Sequence, residues 1–220
     1  MLPHILQFRI SPSSRETVMQ DRRTFLASGL AGLGAALGGC ASTGPGGWTT
    51  LLDGAGLKDM AGLSAWSAIG AGNWSVQDGT VQGKNGKAGF LVSQGSYADF
   101  ELRAEFWADA PANSGIFLRC QDRNKVQAEN AYEVNIFDQR PDPSYGTGAI
   151  VDVVKVAQPG PRAADRWNTY EITARGDRLV VVLNGVQTAE GRDPRWPSGP
   201  IALQSAAGTI RFRKLQIRVL

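Results

Sequence analysis

Short runs of alternating apolar and polar residues recur from Trp48 to the end of the chain, and none of them shows the spacing of an amphipathic helix. Residues 98–108, ADFELRAEFWA, put Phe100, Leu102, Ala104 and Phe106 on one face and Glu101, Arg103, Glu105 and Trp107 on the other. Residues 132–138, YEVNIFD, divide in the same way, with Tyr132, Val134 and Ile136 against Glu133, Asn135 and Phe137. Further strands are predicted over 114–121, 148–154, 167–174, 200–205 and 209–219, the last with a slip near Lys214 that reads as a bulge. Asp78-Gly79 within 74–81 and Asn184-Gly185 within 179–188 are the pairs that best tolerate a type I′ turn, so each marks a hairpin.

A dozen or so short strands separated by Gly, Asp, Asn and Pro predict an all-β fold, an antiparallel β-sandwich. The chain has no internal repeat at a fixed period, which argues against a propeller or solenoid. Two long loops remain, 138–148 (DQRPDPSYGTG) and 157–166 (AQPGPRAADR), and loops of this kind tend to carry function on a sandwich.

The front of the chain reads as an address. Asp21-Arg22-Arg23-Thr24-Phe25-Leu26 is a twin-arginine pattern, followed by an apolar stretch over 27–37 that is shorter than the ~20 residues needed to span a bilayer. Leu37-Gly38-Gly39-Cys40 then resembles a lipobox, in which the cysteine thiol receives the lipid. Residues 1–39 are therefore expected to be a twin-arginine lipoprotein signal peptide, with Met19 as an alternative start. The stretch 40–47 is expected to be a lipidated flexible tether, and 48–220 a single domain. The expected place is the bacterial cell envelope, anchored to the membrane through Cys40 and facing the periplasm or the surface. A loose signal peptide with an incidental cysteine is the plainer alternative.

Removing the leader changes the chemistry available. It takes Arg9, Arg15, Arg22 and Arg23 against Glu16 and Asp21, so the 23 basic and 20 acidic residues become 19 and 18. A net charge of +1 gives no reason to invoke nucleic acid. Cys120 is the only unlipidated cysteine, which rules out an intramolecular disulfide. His4 is the sole histidine and leaves with the leader, so a histidine base, a Ser-His pair and a His-based metal site are all excluded.

Several phrases resemble one family in order and spacing: Leu51-Leu52-Asp53-Gly54, Trp74-Ser75-Val76-Gln77-Asp78-Gly79, Tyr97-Ala98-Asp99-Phe100-Glu101-Leu102 and Asn113-Ser114-Gly115-Ile116-Phe117-Leu118-Arg119. Tyr132 to Asp138, Gly148-Ala149-Ile150, Trp167-Asn168, Leu183-Asn184-Gly185, Gly199-Pro200-Ile201-Ala202-Leu203-Gln204 and Phe212-Arg213 continue the series. The resemblance is to the 3-keto-disaccharide hydrolase domain, and it implies a concanavalin A-like jelly roll acting on sugars oxidised at carbon 3. It also implies a sugar 3-oxidoreductase upstream, which would make the substrate. Two departures are visible. Many relatives have a histidine after the Leu-Gln phrase, where this chain has Ser205-Ala206-Ala207, and a tyrosine where it has Val151.

A ketone at carbon 3 makes the proton on carbon 2 acidic, and the glycosidic oxygen at carbon 1 can then leave by elimination. Such a site needs a base, a cationic or hydrogen-bonding group at the enolate oxygen, and a proton source. Glu133 is the candidate base and Arg119 the candidate clamp, unless the two form a structural salt bridge with each other. Asp138 is a candidate acid, or an ordinary turn-forming aspartate. Asn113, Asn135 and Gln204 could bond sugar hydroxyls, or serve as turn and surface residues. Trp107 and Trp167 could be ring platforms or core, and Lys155 a second cation or a solvated one. A divalent cation such as calcium could use Asp138, Asp152 and loop carbonyls, but no spaced acidic motif supports it, so the metal is left open. A non-catalytic carbohydrate-binding jelly roll is the alternative function, and a purely structural envelope protein the third.

Overall fold

The computed structural model describes residues 47–220 except Asn85; the expected signal peptide, the expected lipidation site Cys40 and nearly all of the expected tether lie outside the described residues. Thirteen strands form two antiparallel sheets. The larger holds eight: β11 (Val186–Arg192), β10 (Arg178–Leu183), β9 (Trp167–Arg175), β6 (Phe100–Ala108), β13 (Thr209–Val219), β4 (Thr80–Lys84) and β3 (Trp74–Gln77) in that order, with β1 (Thr49–Asp53) also paired to β13. The smaller runs β2 (Trp66–Gly70), β5 (Gly89–Ser93), β12 (Ala202–Ser205), β7 (Ser114–Leu118), β8 (Tyr132–Ile136). The fold is the expected antiparallel jelly-roll sandwich.

Alternation decides the faces, because residues two apart in a strand share a side. Phe100, Leu102, Ala104 and Phe106 are fully buried between the sheets, and so are Tyr132, Val134 and Ile136 from the facing sheet. Their neighbours on β6 point outward into an ion-pair ladder: Arg103 with Glu171, Arg213 with Glu105, Arg218 with Glu101. Both predicted hairpins are present with positive φ at both turn residues, 49° and 68° at Asp78-Gly79 and 51° and 82° at Asn184-Gly185. The β13 register slips between Phe212 and Lys214, as the broken alternation there predicts.

Residues 148–154 are not a regular strand, which corrects the sequence reading. Gly148 donates to the Asn135 carbonyl, Ala149 accepts from Asn135, and Val151 donates to Glu133, so the segment edges β8 for a few residues. It then turns back on itself, with Val153 and Val154 donating to Ile150 and Asp152 at φ 58°.

Candidate functional site

Glu133, Asn135, Asn113 and Gln204 share the outer face of the five-stranded sheet. On β7, Ile116 and Leu118 face the core, so Gly115 and Phe117 face outward. Across β8, Gly115 is in register with Asn135 and Phe117 with Glu133. Across β12, Ala202 pairs with Phe117 and Leu203 with Ile116; continuing that register sets Gln204 opposite Gly115. The Ser114 hydroxyl donates to the Gln204 carbonyl at 2.6 Å and fixes this pairing. Asn113 lies two residues before Gly115 and bridges to Ala207.

Part of this face is closed. Phe90, Val92, Phe117, Cys120, Val126, Ala131 and Ala202 form an apolar cluster, in which Phe90 and Phe117 meet edge to face at 5.3 Å. Val126 belongs to the loop over 121–130, and Arg123 pins that loop to the Ser93 and Gln94 carbonyls. Burial in this cluster pushes the Cys120 thiol up to about 12, so it is not a nucleophile near neutral pH.

Glu133 sits beside the cluster and leans away from Phe117. A Cβ built on Gly115 would lie 3.1 Å from both Cγ and Oε1 of Glu133, so the carboxylate occupies the space over the glycine. Glu133 is 7% exposed and makes no hydrogen bond or ion pair among the described residues. Burial is the main reason its carboxyl is raised to about 7; Arg140 draws it back down, and Asp152 and Glu129 push it further up. Two amide oxygens of the same row, Asn135 Oδ1 and Gln204 Oε1, are buried without a hydrogen-bond partner. The Asn135 amide is oriented by Nδ2 donating to the Tyr145 carbonyl at 2.6 Å, which leaves Oδ1 as its free end.

Arg119 is elsewhere, and its reading as clamp or as partner of Glu133 is corrected. Simple alternation would place it with Gly115 and Phe117, but φ turns to 52° at Arg119 and ends β7. Its guanidinium is 1% exposed and donates to the carbonyls of Ala98, Gly176 and Trp196 and to the Asp99 carboxylate. Burial lowers its pKa, partly opposed by Asp99.

Asp138 is a clamp between loops rather than an acid. Its carboxylate accepts from the Thr147 hydroxyl at 2.6 Å and from the Ala163 and Ala164 amides at 2.9–3.0 Å. Those contacts also take it out of the proposed calcium set, and no group of three or more His, Cys, Asp or Glu among the described residues could hold a metal. Trp107 and Trp167 are an in-register pair on the outer face of the eight-stranded sheet, stacked under Arg211 and Arg213, on the side of the sandwich away from Glu133. Lys155 is exposed, its ammonium 5.3 Å from the centre of the Tyr145 ring, beside the turn that Asn135 holds. Arg140 and Gly115 were not singled out from the sequence. Arg140 lies in a loop, where alternation says nothing, and a glycine floor has no side chain to attract notice.

The sequence matches a family model described as the 3-keto-alpha-glucoside-1,2-lyase-like domain over residues 47–218. In structure the chain is similar to a candidate glycosyl hydrolase from Parabacteroides distasonis, with TM-score 0.66 and 17% identity over 79% of this chain and 94% of that one. A second candidate glycosyl hydrolase from the same organism gives TM-score 0.63 and 24% identity over 79% and 99%. The carbohydrate binding module CBM66 from Bacillus subtilis gives 0.54 and 18% over 69% and 94%. Identities of this size show a common fold. No protein of curated function matches the sequence.

Proposed function

Because the chain belongs to the 3-keto-alpha-glucoside-1,2-lyase-like domain family, we propose that it breaks the glycosidic bond of 3-keto-disaccharides and 3-keto-glycosides, with Glu133 as the base. The observation that carries this reading is a carboxylate that is 7% exposed and makes no hydrogen bond or ion pair among the described residues, so that burial raises it to about 7. A base with its pKa near the working pH keeps both its ionised fraction and its proton affinity high. Glu133 takes the proton from carbon 2, and the C–H electron pair becomes an enolate delocalised onto the carbon 3 oxygen. Collapse of the enolate forms the carbon 1–carbon 2 double bond and expels the glycosidic oxygen, which takes its proton from the newly formed Glu133 carboxyl. Water added across that double bond completes a net hydrolysis. Arg140, which makes no ion pair or hydrogen bond among the described residues and draws Glu133 toward its ionised form, takes the enolate role first offered to Arg119.

Incubated with 3-keto-trehalose and a 3-keto β-glucoside in D₂O, the protein should place deuterium at carbon 2 and release the second sugar or aglycone. Binding of the unoxidised sugars with neither uptake nor release would instead identify a carbohydrate-binding module that has lost the chemistry. One departure favours that second reading: Ser205-Ala206-Ala207 stands where the family resemblance implies a histidine.

We propose as well that the domain works in the cell envelope on a lipid anchor at Cys40, downstream of an enzyme that oxidises a sugar hydroxyl at carbon 3. In detergent phase separation the expressed full chain should partition into detergent, and a Cys40→Ser variant into the aqueous phase. Aqueous behaviour of the parent would remove the anchor from the reading.

A further inference from the structure

The outer face of the eight-stranded sheet has no part in the reaction proposed above, and its charge is unlike that of the domain as a whole. Its central strands β9, β6 and β13 alternate so that Arg103, Arg175, Arg211, Arg213, Lys214 and Arg218 point outward together with Glu101, Glu105 and Glu171. Each glutamate is matched to one arginine, Arg218, Arg213 and Arg103 in turn. Arg175, Arg211 and Lys214 have no carboxylate partner among the described residues, and Arg211 donates instead to the neutral Gln82 Oε1 at 2.8 Å. This surplus of three cations exceeds the +1 of the whole chain beyond the leader, so the other charges of the domain sum to a negative value.

Aromatic rings underlie these cations. Arg211 stacks over Trp107 at 4.7 Å and Arg213 over Trp167 at 4.3 Å, while Arg103 and Arg218 both stand over Trp48, at 4.5 and 5.1 Å. A guanidinium held flat on an indole keeps its N–H edges free, and those edges fit phosphate oxygens two at a time. Trp167, at 39%, is the most exposed aromatic side chain among the described residues. An indole, with its apolar body and polar N–H, suits the boundary between water and lipid.

We propose that this face docks on the surface of an anionic phospholipid bilayer, with the arginines on headgroup phosphates and Trp167 at the edge of the acyl region. The point where the chain enters the domain supports the same side. Trp48 lies on this face, eight residues after Cys40. Eight residues reach at most about 25–30 Å, less than the roughly 40 Å breadth of a domain of this size. An anchor at Cys40 therefore holds this face toward the membrane and turns the small sheet, with Glu133, away from it. That orientation rests on the Cys40 reading; the charge and stacking of the face do not. A second copy of the chain is a poor occupant, because two such faces would set surplus positive charge against itself.

The test uses the full chain carrying Cys40→Ser, which takes no lipid, and vesicles of brominated phosphatidylcholine, alone or mixed with phosphatidylglycerol. The leader contains no tryptophan, so quenching of tryptophan fluorescence by bromine reports on the domain. Quenching is expected with the mixed vesicles, should be weak with phosphatidylcholine alone and should fade in high salt. Trp167→Phe should remove most of the quenching while the protein still sediments with the vesicles. Arg175→Gln combined with Lys214→Gln should weaken that sedimentation about twenty-five-fold, from roughly fivefold for each cation near an anionic surface, with the melting temperature unchanged. Equal binding to neutral and mixed vesicles, or unchanged affinity in the folded double variant, overturns the proposal whatever Cys40 does. So does binding of heparin without quenching by vesicles, which would make the partner a soluble polyanion. Quenching that responds as expected, in a chain whose parent fails to enter detergent, keeps the docking face and removes the anchor.

Discussion

Replacing Glu133 by glutamine is expected to lower turnover of a 3-keto-glycoside by a factor of ~10²–10⁴, the usual contribution of a positioned general base. The variant should lose nothing in stability. In the folded protein Glu133 holds its proton up to about 7 against an ordinary 4.5, and a raised carboxyl pKa stabilises the folded state only while the group is protonated. That contribution is complete below about 4.5, fades between about 4.5 and 7 as the unfolded chain ionises first, and is gone above. At pH 8 the native state carries a buried carboxylate with no ion pair or hydrogen bond among the described residues, at a cost on the order of 3 kcal/mol as an upper bound. Glutamine removes the charge, so its melting temperature should equal the parent's near pH 4 and exceed it at pH 8. The parent's kcat/KM should climb about tenfold per pH unit below 7 and level off above, as the base ionises. A variant that keeps a tenth or more of parental turnover would remove Glu133 from the mechanism.

That pairing of effects separates a working carboxylate from a structural one. A carboxylate held for stability is matched with a cation or with backbone amides, as Asp138 is with Thr147, Ala163 and Ala164. Among the described residues Glu133 makes no ion pair or hydrogen bond, with Arg140 acting on it only at a distance, although an amide side chain would suit the place beside Phe117 better. The unfavourable burial persists where the sequence could easily have relieved it, and such sites are where function is sought first.

The sequence made the faces legible wherever alternation held. Glu133, Asn135 and Gln204 follow strand parity to the outer face, and Phe100, Leu102, Ala104 and Phe106 follow it to the core. β5, GFLVS, gave no such signal because it is buried on both sides, the core on one and the cluster of Val126 and Phe117 on the other. Parity also failed at Arg119, where one residue of positive φ reversed the side chain's destination. For Trp107 and Trp167 parity was right, but which outer face binds a ligand is a property of the sandwich rather than of the strand. Both outer faces alternate alike in the sequence. Only the tertiary structure separates the arginines stacked over Trp107 and Trp167 from Gly115 and the unmet amides beside Glu133.

Arg119→Met should act in the opposite sense to Glu133→Gln, lowering stability while sparing the chemistry. The guanidinium is fully enclosed and supplies five hydrogen bonds, to the Ala98, Gly176 and Trp196 carbonyls and to Asp99. Those groups come from three separate connections between strands, so one side chain ties together the β6 entry, the β9–β10 turn and the approach to β12. Methionine fills much of the volume but leaves the carbonyls dry and without donors, and the loss should be roughly 3–5 kcal/mol, as for breaking other buried charge networks. For a domain of this size that is a fall of about 10 °C in Tm. Lysine should rescue little of it, because a single ammonium cannot reach carbonyls arrayed around a planar fork. Measured at a temperature where the variant remains folded, kcat for the 3-keto substrate should match the parent's. A kcat reduced a hundredfold with Tm intact would return Arg119 to the enolate and make the geometry around Gly176 and Trp196 incidental. The expected result instead assigns the two buried charged side chains among the described residues to different tasks: Arg119 would close the fold where strands change direction, and Glu133, without an ion pair there, would be free to meet a substrate.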